Sequence, residues 1–269
     1  MRVLVVRVLA VRVLAVRVLA AEASKLASLP AVWIALAAGV LVPSVIAGIT
    51  SSAVLDAITR GAERAAGVDH GYQELAFGVV GVIILGVVAV SSEYVTENEE
   101  SGGGRQITTS LTAVPSRLRF LLAKAATTAI VSALLAVAAT VTTLGVVQVV
   151  LGEHAPALGV EELPRLAGVV FYWIFTSLLA FGITVLTRHG VVPLAVLITN
   201  TSVVTVTYLL TRITPLADYL PDMAGLRMFI RKIADNTAEI TPLLGGLVMT
   251  AWVTVLLVIA AAVFTRRDA

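Results

Sequence analysis

Residues 91–124 hold a dense mixture of charged and flexible residues between two long apolar runs. The charged side chains are Glu93, Glu97, Glu99, Glu100, Arg105, Arg117, Arg119 and Lys124, with Gly102–Gly104 in their midst and Pro115 before the last three. Glycines, a polar stretch and then a proline predict a hinge and a short capped helix. The final cations predict a return to a membrane surface, where they meet lipid phosphates. A solvated loop whose charges only set orientation is the alternative.

The sequence lacks the common motifs of catalysis and nucleotide binding. The glycines at 102–104 are followed by Arg105 and not by the Gly-Lys-Ser/Thr of a phosphate-binding loop. His70, His154 and His189 are far apart, so no zinc-ligand spacing occurs, and cysteine is absent. We therefore expect a chain that is not an enzyme and that holds no cofactor or metal of its own.

The composition predicts an all-α integral membrane protein. Of 269 residues, 58% are hydrophobic and 13% charged, and the mean hydropathy is +0.99. Six runs without Asp, Glu, Lys, Arg or His span 30–55, 75–92, 125–151, 166–187, 190–211 and 242–264. Because a spanning helix needs roughly 20 apolar residues, we predict six transmembrane helices in one domain, 30–269. The lack of charge inside these runs disfavours a proton relay, an ion site at the membrane centre and intramembrane proteolysis.

The cations in the loops predict that both termini are cytosolic. With six spans, the loops on the side of the termini carry 12 Lys and Arg, and those on the other side carry 7. No basic stripe with interleaved aromatic residues indicates nucleic-acid binding. We expect a multi-pass protein of the cell membrane whose surroundings are the lipid bilayer.

The first 29 residues form a separate N-terminal region. Arg2, Arg7, Arg12 and Arg17 recur every five residues among Val, Leu and Ala. One interpretation is a helix lying on the cytosolic leaflet, with its arginines reaching toward anionic head groups. The other is a tandem expansion of tolerated length, because a step of five does not keep the arginines on one helical face.

The predicted fifth span is the most polar crossing. Its candidate substrate-path residues are Asn200, Thr201, Thr205 and Tyr208, and the last three share one helical face. Such a face avoids lipid, so it either lines a substrate cavity or bonds to neighbouring helices.

Residues 212–241 are too apolar for a free loop. Pro215, Pro221 and Pro242 surround a helix-like run from Met223 to Ile233. We expect a re-entrant helical segment on the side opposite the termini, with a surface loop lying on the bundle as the alternative.

In the charged stretch 91–124 the sequence resembles the type-2 permeases of ATP-binding-cassette (ABC) transporters, the six-span subunits of bacterial exporters. Ser92-Glu93-Tyr94, Arg105–Thr108, Leu111–Arg117 and Lys124 are similar to the family's loop between spans two and three. Glu22, Lys25 and Leu26 resemble its opening, and Tyr219–Leu226 resembles its segment before the last span. The resemblance covers residues 22–269, although the stretch 98–104 is longer than the family pattern.

The resemblance implies a coupling helix in the cytosolic loop. The residues that it assigns to coupling with an ATP-binding subunit are Glu93, Tyr94, Glu97, Arg105, Gln106, Ile107, Thr108, Thr109, Thr112, Pro115, Arg117 and Lys124. ATP and Mg would be bound by that separate subunit, and a second copy of the permease or a homologous one would complete the transporter.

We therefore expect a permease half of an ABC exporter that moves a hydrophobic or amphipathic compound outward. An ion or antimicrobial-peptide efflux permease is an alternative within transport. A membrane scaffold that docks a soluble partner without transporting anything is an alternative from another class.

Overall fold

Helices account for nearly all of the structure, a computed structural model that describes residues 17–62, 65–94, 116–202, 206–232 and 240–266. The helices are α1 (17–28), α2 (Pro30–Thr59), α3 (Tyr72–Ser91), α4 (Arg117–Leu151), α5 (Leu163–Thr187), α6 (Val191–Ser202), α7 (Val206–Thr211), α8 (Pro221–Leu226) and α9 (Pro242–Arg266). Short 3₁₀ turns at Ser92–Tyr94, Gly152–His154, Val160–Glu162 and Pro215–Tyr219 flank them. The protein is an all-α membrane protein, as the composition predicts.

Local sequence explains where the helices begin. Pro30, Pro221 and Pro242 are the first residues of α2, α8 and α9, where a missing N–H costs no helical hydrogen bond. At the start of α3, the Glu74 carboxylate accepts a hydrogen bond from the backbone N–H of Gly71 at 2.7 Å. At the start of α4, the Ser116 hydroxyl accepts one from the backbone of Arg119.

α3 is the central helix of the bundle and packs against α2, α4, α5 and α6. Glycines let its backbone approach its neighbours: a Cβ on Gly81 would lie 2.5 Å from the carbonyl oxygen of Ala35 in α2. A Cβ on Gly86 would lie 2.3 Å from the carbonyl oxygen of Ser177 in α5. Since close backbone approach is a main source of helix association in membranes, these glycines fix α3 between α2 and α5.

Five helical stretches in the described residues are long and apolar enough to cross a membrane: Pro30–Thr59, Tyr72–Tyr94, Arg117–His154, Val160–Thr187 and Pro242–Arg266. They correspond to five of the six predicted spans. Their helices extend beyond the apolar runs, so that Glu74 and Arg165 lie in the first turn of their helices and Lys124 lies two turns into α4, all three of them buried. The first and last spans leave much of their apolar surface exposed, with Trp33, Ile34, Leu247 and Trp252 among the exposed side chains.

Within the predicted span 190–211 the structure describes two helices, α6 and α7, and residues 203–205 between them lie outside the described residues. The side chain of Asn200 bonds to backbone beyond the end of α6, accepting from the N–H of Thr207 at 3.4 Å. A sixth continuous span therefore stays a prediction.

Residues 215–232, called here the outer segment, lie on the bundle at the ends of α5 and α9. The helix within it is Pro221–Leu226, shorter than the run 223–233 that the sequence suggests, and hydrogen-bonded turns continue to Ile230. A Cβ on Gly225 would lie 2.4 Å from the Tyr172 ring, and Phe229 is 1% exposed. The outer segment is thus a packed part of the bundle.

Candidate functional site

Four charged residues from three chain segments meet where the loop between α3 and α4 begins and ends. We call Glu22, Lys25, Glu93 and Lys124 the Lys124 network. Glu22 and Lys25 lie one turn apart in α1, Glu93 lies in the 3₁₀ turn after α3, and Lys124 lies two turns into α4. Helical spacing places Glu22 and Lys25 on one face, and α1 packs that face on the bundle.

Lys124 is the centre of the network. Its Nζ donates to Glu22 Oε2 at 2.6 Å and to Glu93 Oε1 at 2.9 Å, and Lys25 Nζ also contacts Glu93 Oε1 at 3.3 Å. Glu22, Glu93 and Lys124 are each 5% exposed or less, whereas the Lys25 side chain is 36% exposed. Two cations balance two anions, so the network is neutral and nearly dry.

Aromatic side chains extend this network to two further helices. The Phe120 ring centroid lies 5.3 Å from Lys124 Nζ and 6.3 Å from the ring of Phe264 near the end of α9. The Tyr94 ring lies 5.7 Å from the guanidinium carbon of Arg188, which follows α5. A displacement of the two ends of the loop between α3 and α4 would therefore disturb contacts with α1, α4, α5 and α9.

The structure brings together only part of the predicted coupling set. Glu93 and Lys124 are in direct contact, Tyr94 adjoins them, and Arg117 is the half-buried first residue of α4. The predicted Glu97, Arg105, Gln106, Ile107, Thr108, Thr109, Thr112 and Pro115 lie outside the described residues. The coupling helix itself thus stays a prediction.

Two of the predicted substrate-path side chains are engaged in hydrogen bonds. Asn200 Nδ2 donates to Asp222 Oδ2 in the outer segment at 2.8 Å, and Thr201 donates to the Leu197 carbonyl of its own helix at 2.7 Å. Thr205 lies outside the described residues, and the side chain of Tyr208 does too. Asn200 therefore acts as a bridge between α6, α7 and the outer segment, while a substrate path stays a prediction.

A second charged cluster lies at the opposite end of the bundle, around Arg165 at the start of α5. It joins Asp69 before α3, Glu162 before α5 and Arg231 in the outer segment. The predicted coupling set includes none of these four residues, and it also omits Glu22 and Lys25. In the sequence, the one sign of these residues is that each lies near a predicted span. A charge in that position normally faces water, so the sequence does not predict their burial.

The described bundle, with five apolar crossings and buried ion networks at both ends, defines a multi-pass α-helical membrane protein. A family model described as ABC-2 family transporter protein matches residues 18–214, from the start of α1 to just beyond α7. The chain therefore belongs to the ABC-2 transporter family and is a permease subunit of an ABC transporter in the plasma membrane. A search of curated proteins finds no match. The segment Tyr219–Leu226 and α9 lie beyond the range that the family model matches. For this part of the chain, the resemblance to the family therefore rests on the sequence pattern alone.

Proposed function

We propose that this permease works in an exporter, coupled to a separate ATP-binding subunit that docks on the loop between α3 and α4. The observation that carries this proposal is the buried ion contact between Glu93 and Lys124, which lie on either side of that loop. Both residues lie within the range that the family model matches. The hydrolysis of ATP and the binding of Mg belong to the partner subunit. The loop side of the membrane is the cytosol, in keeping with its excess of Lys and Arg.

The Lys124 network suits the transmission of force. Glu93 is 3% exposed, so its carboxylate serves the junction of helices and not the surface that a partner would touch. Because ion pairs at 2.6 to 2.9 Å resist separation in a dry site, a push on the loop moves α1 and the start of α4 as one body. This motion would alter the exposure of a path between two permeases.

The substrate proposed is hydrophobic or amphipathic. The charged groups of the described helices lie at their ends, and a strongly ionic molecule would find no partner of opposite charge at the membrane centre. A second copy of this chain or a similar permease would pack on the exposed apolar faces of α2 or α9, with the remainder facing lipid.

Affinity purification from native membranes tests the proposal, with the copurifying proteins identified and their ATPase activity measured. We expect a stoichiometric ATP-binding subunit whose ATPase activity changes in a Glu93→Gln/Arg117→Gln double variant. Arg119→Gln is the matched control, because Arg119 lies two residues further along α4 with its side chain exposed. Purification without an ATPase, or with one indifferent to all three substitutions, would contradict the proposal and favour a scaffold.

A further inference from the structure

The outer segment is attached to the bundle at two places of different character. Near its beginning, Asp222 accepts one hydrogen bond from Asn200, and the carbonyl of Tyr219 accepts one from Trp252 Nε1 at 2.9 Å. At its end, residues 227–232 meet the buried side chains of Asp69, Glu162 and Arg165, and the half-exposed side chain of Arg231 joins them. We call Arg165, Asp69, Glu162 and Arg231 the Arg165 network.

Arg165 uses its whole guanidinium to join three chain segments. Its Nη2 pairs with Asp69, and its Nη1 donates to Glu162 Oε2 at 2.9 Å and to the Val68 carbonyl at 3.1 Å. Its Nε donates to the Phe229 carbonyl in the outer segment at 2.7 Å. Arg165 is 7% exposed, so these bonds are largely shielded from water.

Asp69 and Glu162 hold the outer segment by its backbone and by a side chain. Asp69 accepts hydrogen bonds from the backbone N–H groups of Arg231 at 2.9 Å and of Lys232 at 2.7 Å. Glu162 Oε1 accepts from Arg231 Nη2 at 2.7 Å. The last turn of the outer segment is thus fixed in one position relative to α3 and α5.

The network stands between two cavities. One of about 240 Å³ lies beside the end of α4, and one of about 340 Å³ lies beside the start of α9. Arg165 and Arg231 border both. Because the neighbouring space is not filled by side chains, residues 227–232 can move there with less repacking than a dense core would need.

Ion pairs suit a contact that must open and then close in one register. In the Arg165 network the Arg231 side chain is half exposed, and Arg165 and Arg231 border the two cavities, so separated charges there regain hydration that offsets much of their attraction. Opening therefore costs less here than at the buried contacts of Lys124 with Glu22 and Glu93. The fork geometry of arginine restores a single arrangement on closing. Apolar contacts alone provide less directional control.

We propose that the Arg165 network is the fastening that holds the exit side of this permease closed, with Arg165 as its positioning residue. Substrate release requires the pairs of Arg165 and Asp69 with residues 229–232 to separate, so that this part of the outer segment lifts from α5. The role in release rests on the proposed function, whereas the fastening itself rests on the contacts above.

The absence of cysteine from the chain allows a direct test. A single Met228→Cys substitution places a reporter thiol in the fastened part, at a position 9% exposed that faces Gly168 of α5. In proteoliposomes holding the transporter with its ATP-binding subunit, we would measure the rate at which a charged, membrane-impermeant thiol reagent labels this reporter. Arg165→Gln should raise the labelling rate by about tenfold or more without nucleotide, and Arg165→Lys by less.

Controls separate unfastening from general loosening. Arg60→Gln changes an exposed arginine that follows α2 at the same end and should leave the labelling rate unchanged. A control thiol introduced by Ala89→Cys, at a buried position toward the other end of α3, should stay protected in every variant. If Arg165→Gln exposes the control thiol as well, Glu162→Gln decides, because it weakens the network while Arg165 keeps its pair with Asp69.

Protection of the reporter thiol at position 228 in a folded Arg165→Gln or Glu162→Gln protein would overturn the fastening. A second arm adds ATP and vanadate to the protein with Arg165 intact, and faster labelling of the reporter thiol is expected. Unchanged labelling in this arm, in a complex whose ATPase is active before vanadate is added, would overturn the role of the network in release. A complex without any ATPase activity would instead count against the proposed function, while the first arm still judges the fastening.

Discussion

Replacing Lys124 by methionine should destabilise the bundle far more than the same replacement of Lys25. Both lysines contact Glu93, but Lys124 is 4% exposed whereas the Lys25 side chain is 36% exposed. The two substitutions therefore remove the same charge from the same anion in different surroundings. Burial decides the outcome.

The magnitude follows from the distances. Glu22 Oε2 and Glu93 Oε1 contact the same nitrogen, so they lie within about 5.5 Å of each other, and without Lys124 their repulsion is ~3 kcal/mol at an effective dielectric of ~20. Removing one partner of a buried ion pair typically costs about 3 to 5 kcal/mol, which is the loss expected for Lys124→Met. For Lys25→Met, water screens the pair, and the loss should be about 1 kcal/mol or less.

Removing all three buried charges of the Lys124 network should restore most of the stability that Lys124→Met loses. In the triple variant Glu22→Gln/Glu93→Gln/Lys124→Met no charged partner is left behind in the buried centre, so stability should return to within about 2 kcal/mol of the parent protein. If this variant still shows altered ATPase coupling, the charges matter beyond stability.

The assay is unfolding by sodium dodecyl sulfate in mixed micelles, followed by circular dichroism and tryptophan fluorescence. The free energies of unfolding of the parent, the two single variants and the triple variant are compared. Equal losses for Lys124→Met and Lys25→Met would refute the argument from burial. A triple variant less stable than Lys124→Met would refute the argument that repulsion between the stranded carboxylates causes the loss.

Two further predictions concern helix packing and the Asn200 bridge. Gly86→Val should lower the free energy of unfolding by about 3 kcal/mol or more, because its Cβ would meet a carbonyl oxygen of α5 at 2.3 Å. Gly145 has open space around it, so Gly145→Ala should be neutral or slightly stabilising in the same unfolding assay. Comparable losses at both glycines would contradict this packing. Asn200→Ala should cost about 1 to 3 kcal/mol in the same assay, because it removes the donor to Asp222. Thr201→Ala should stay within about 0.5 kcal/mol, because among the described residues the Thr201 hydroxyl bonds the backbone of its own helix. Equal effects of the two substitutions would show that the Asn200 bridge is unimportant.

Local sequence is sufficient to predict most helices of this bundle. Five of the runs that hydropathy predicts are helices long and apolar enough to cross a bilayer, since a bilayer demands long apolar helices wherever the chain enters it. Prolines at 30, 221 and 242 mark helix starts for a reason contained in the residue itself. The motifs around residues 92–117 identify the family that the match over 18–214 confirms.

Hydropathy measures only whether a residue tolerates lipid, so it says nothing about the partners of the polar side chains in the run 190–211. The run 190–211 passes that criterion, yet the amide of Asn200 bonds to the backbone of Thr207 and to Asp222 of the outer segment. A window of local composition contains no information on such competing partners. The bridge that Asn200 makes between α6, α7 and the outer segment is therefore visible only in the folded chain.

The sequence by itself determined that this is a helical membrane protein of the ABC-2 family with a charged loop after its second span. The tertiary structure decided which charges meet. Lys124 pairs with Glu22 across 102 positions, Arg165 pairs with Asp69 across 96, and Asp69 reaches the backbone of Lys232 across 163. The physical reason is that apolar periodicity acts within one helix, whereas the burial of an ion pair depends on which helix ends the packing of α3, α4 and α5 brings together.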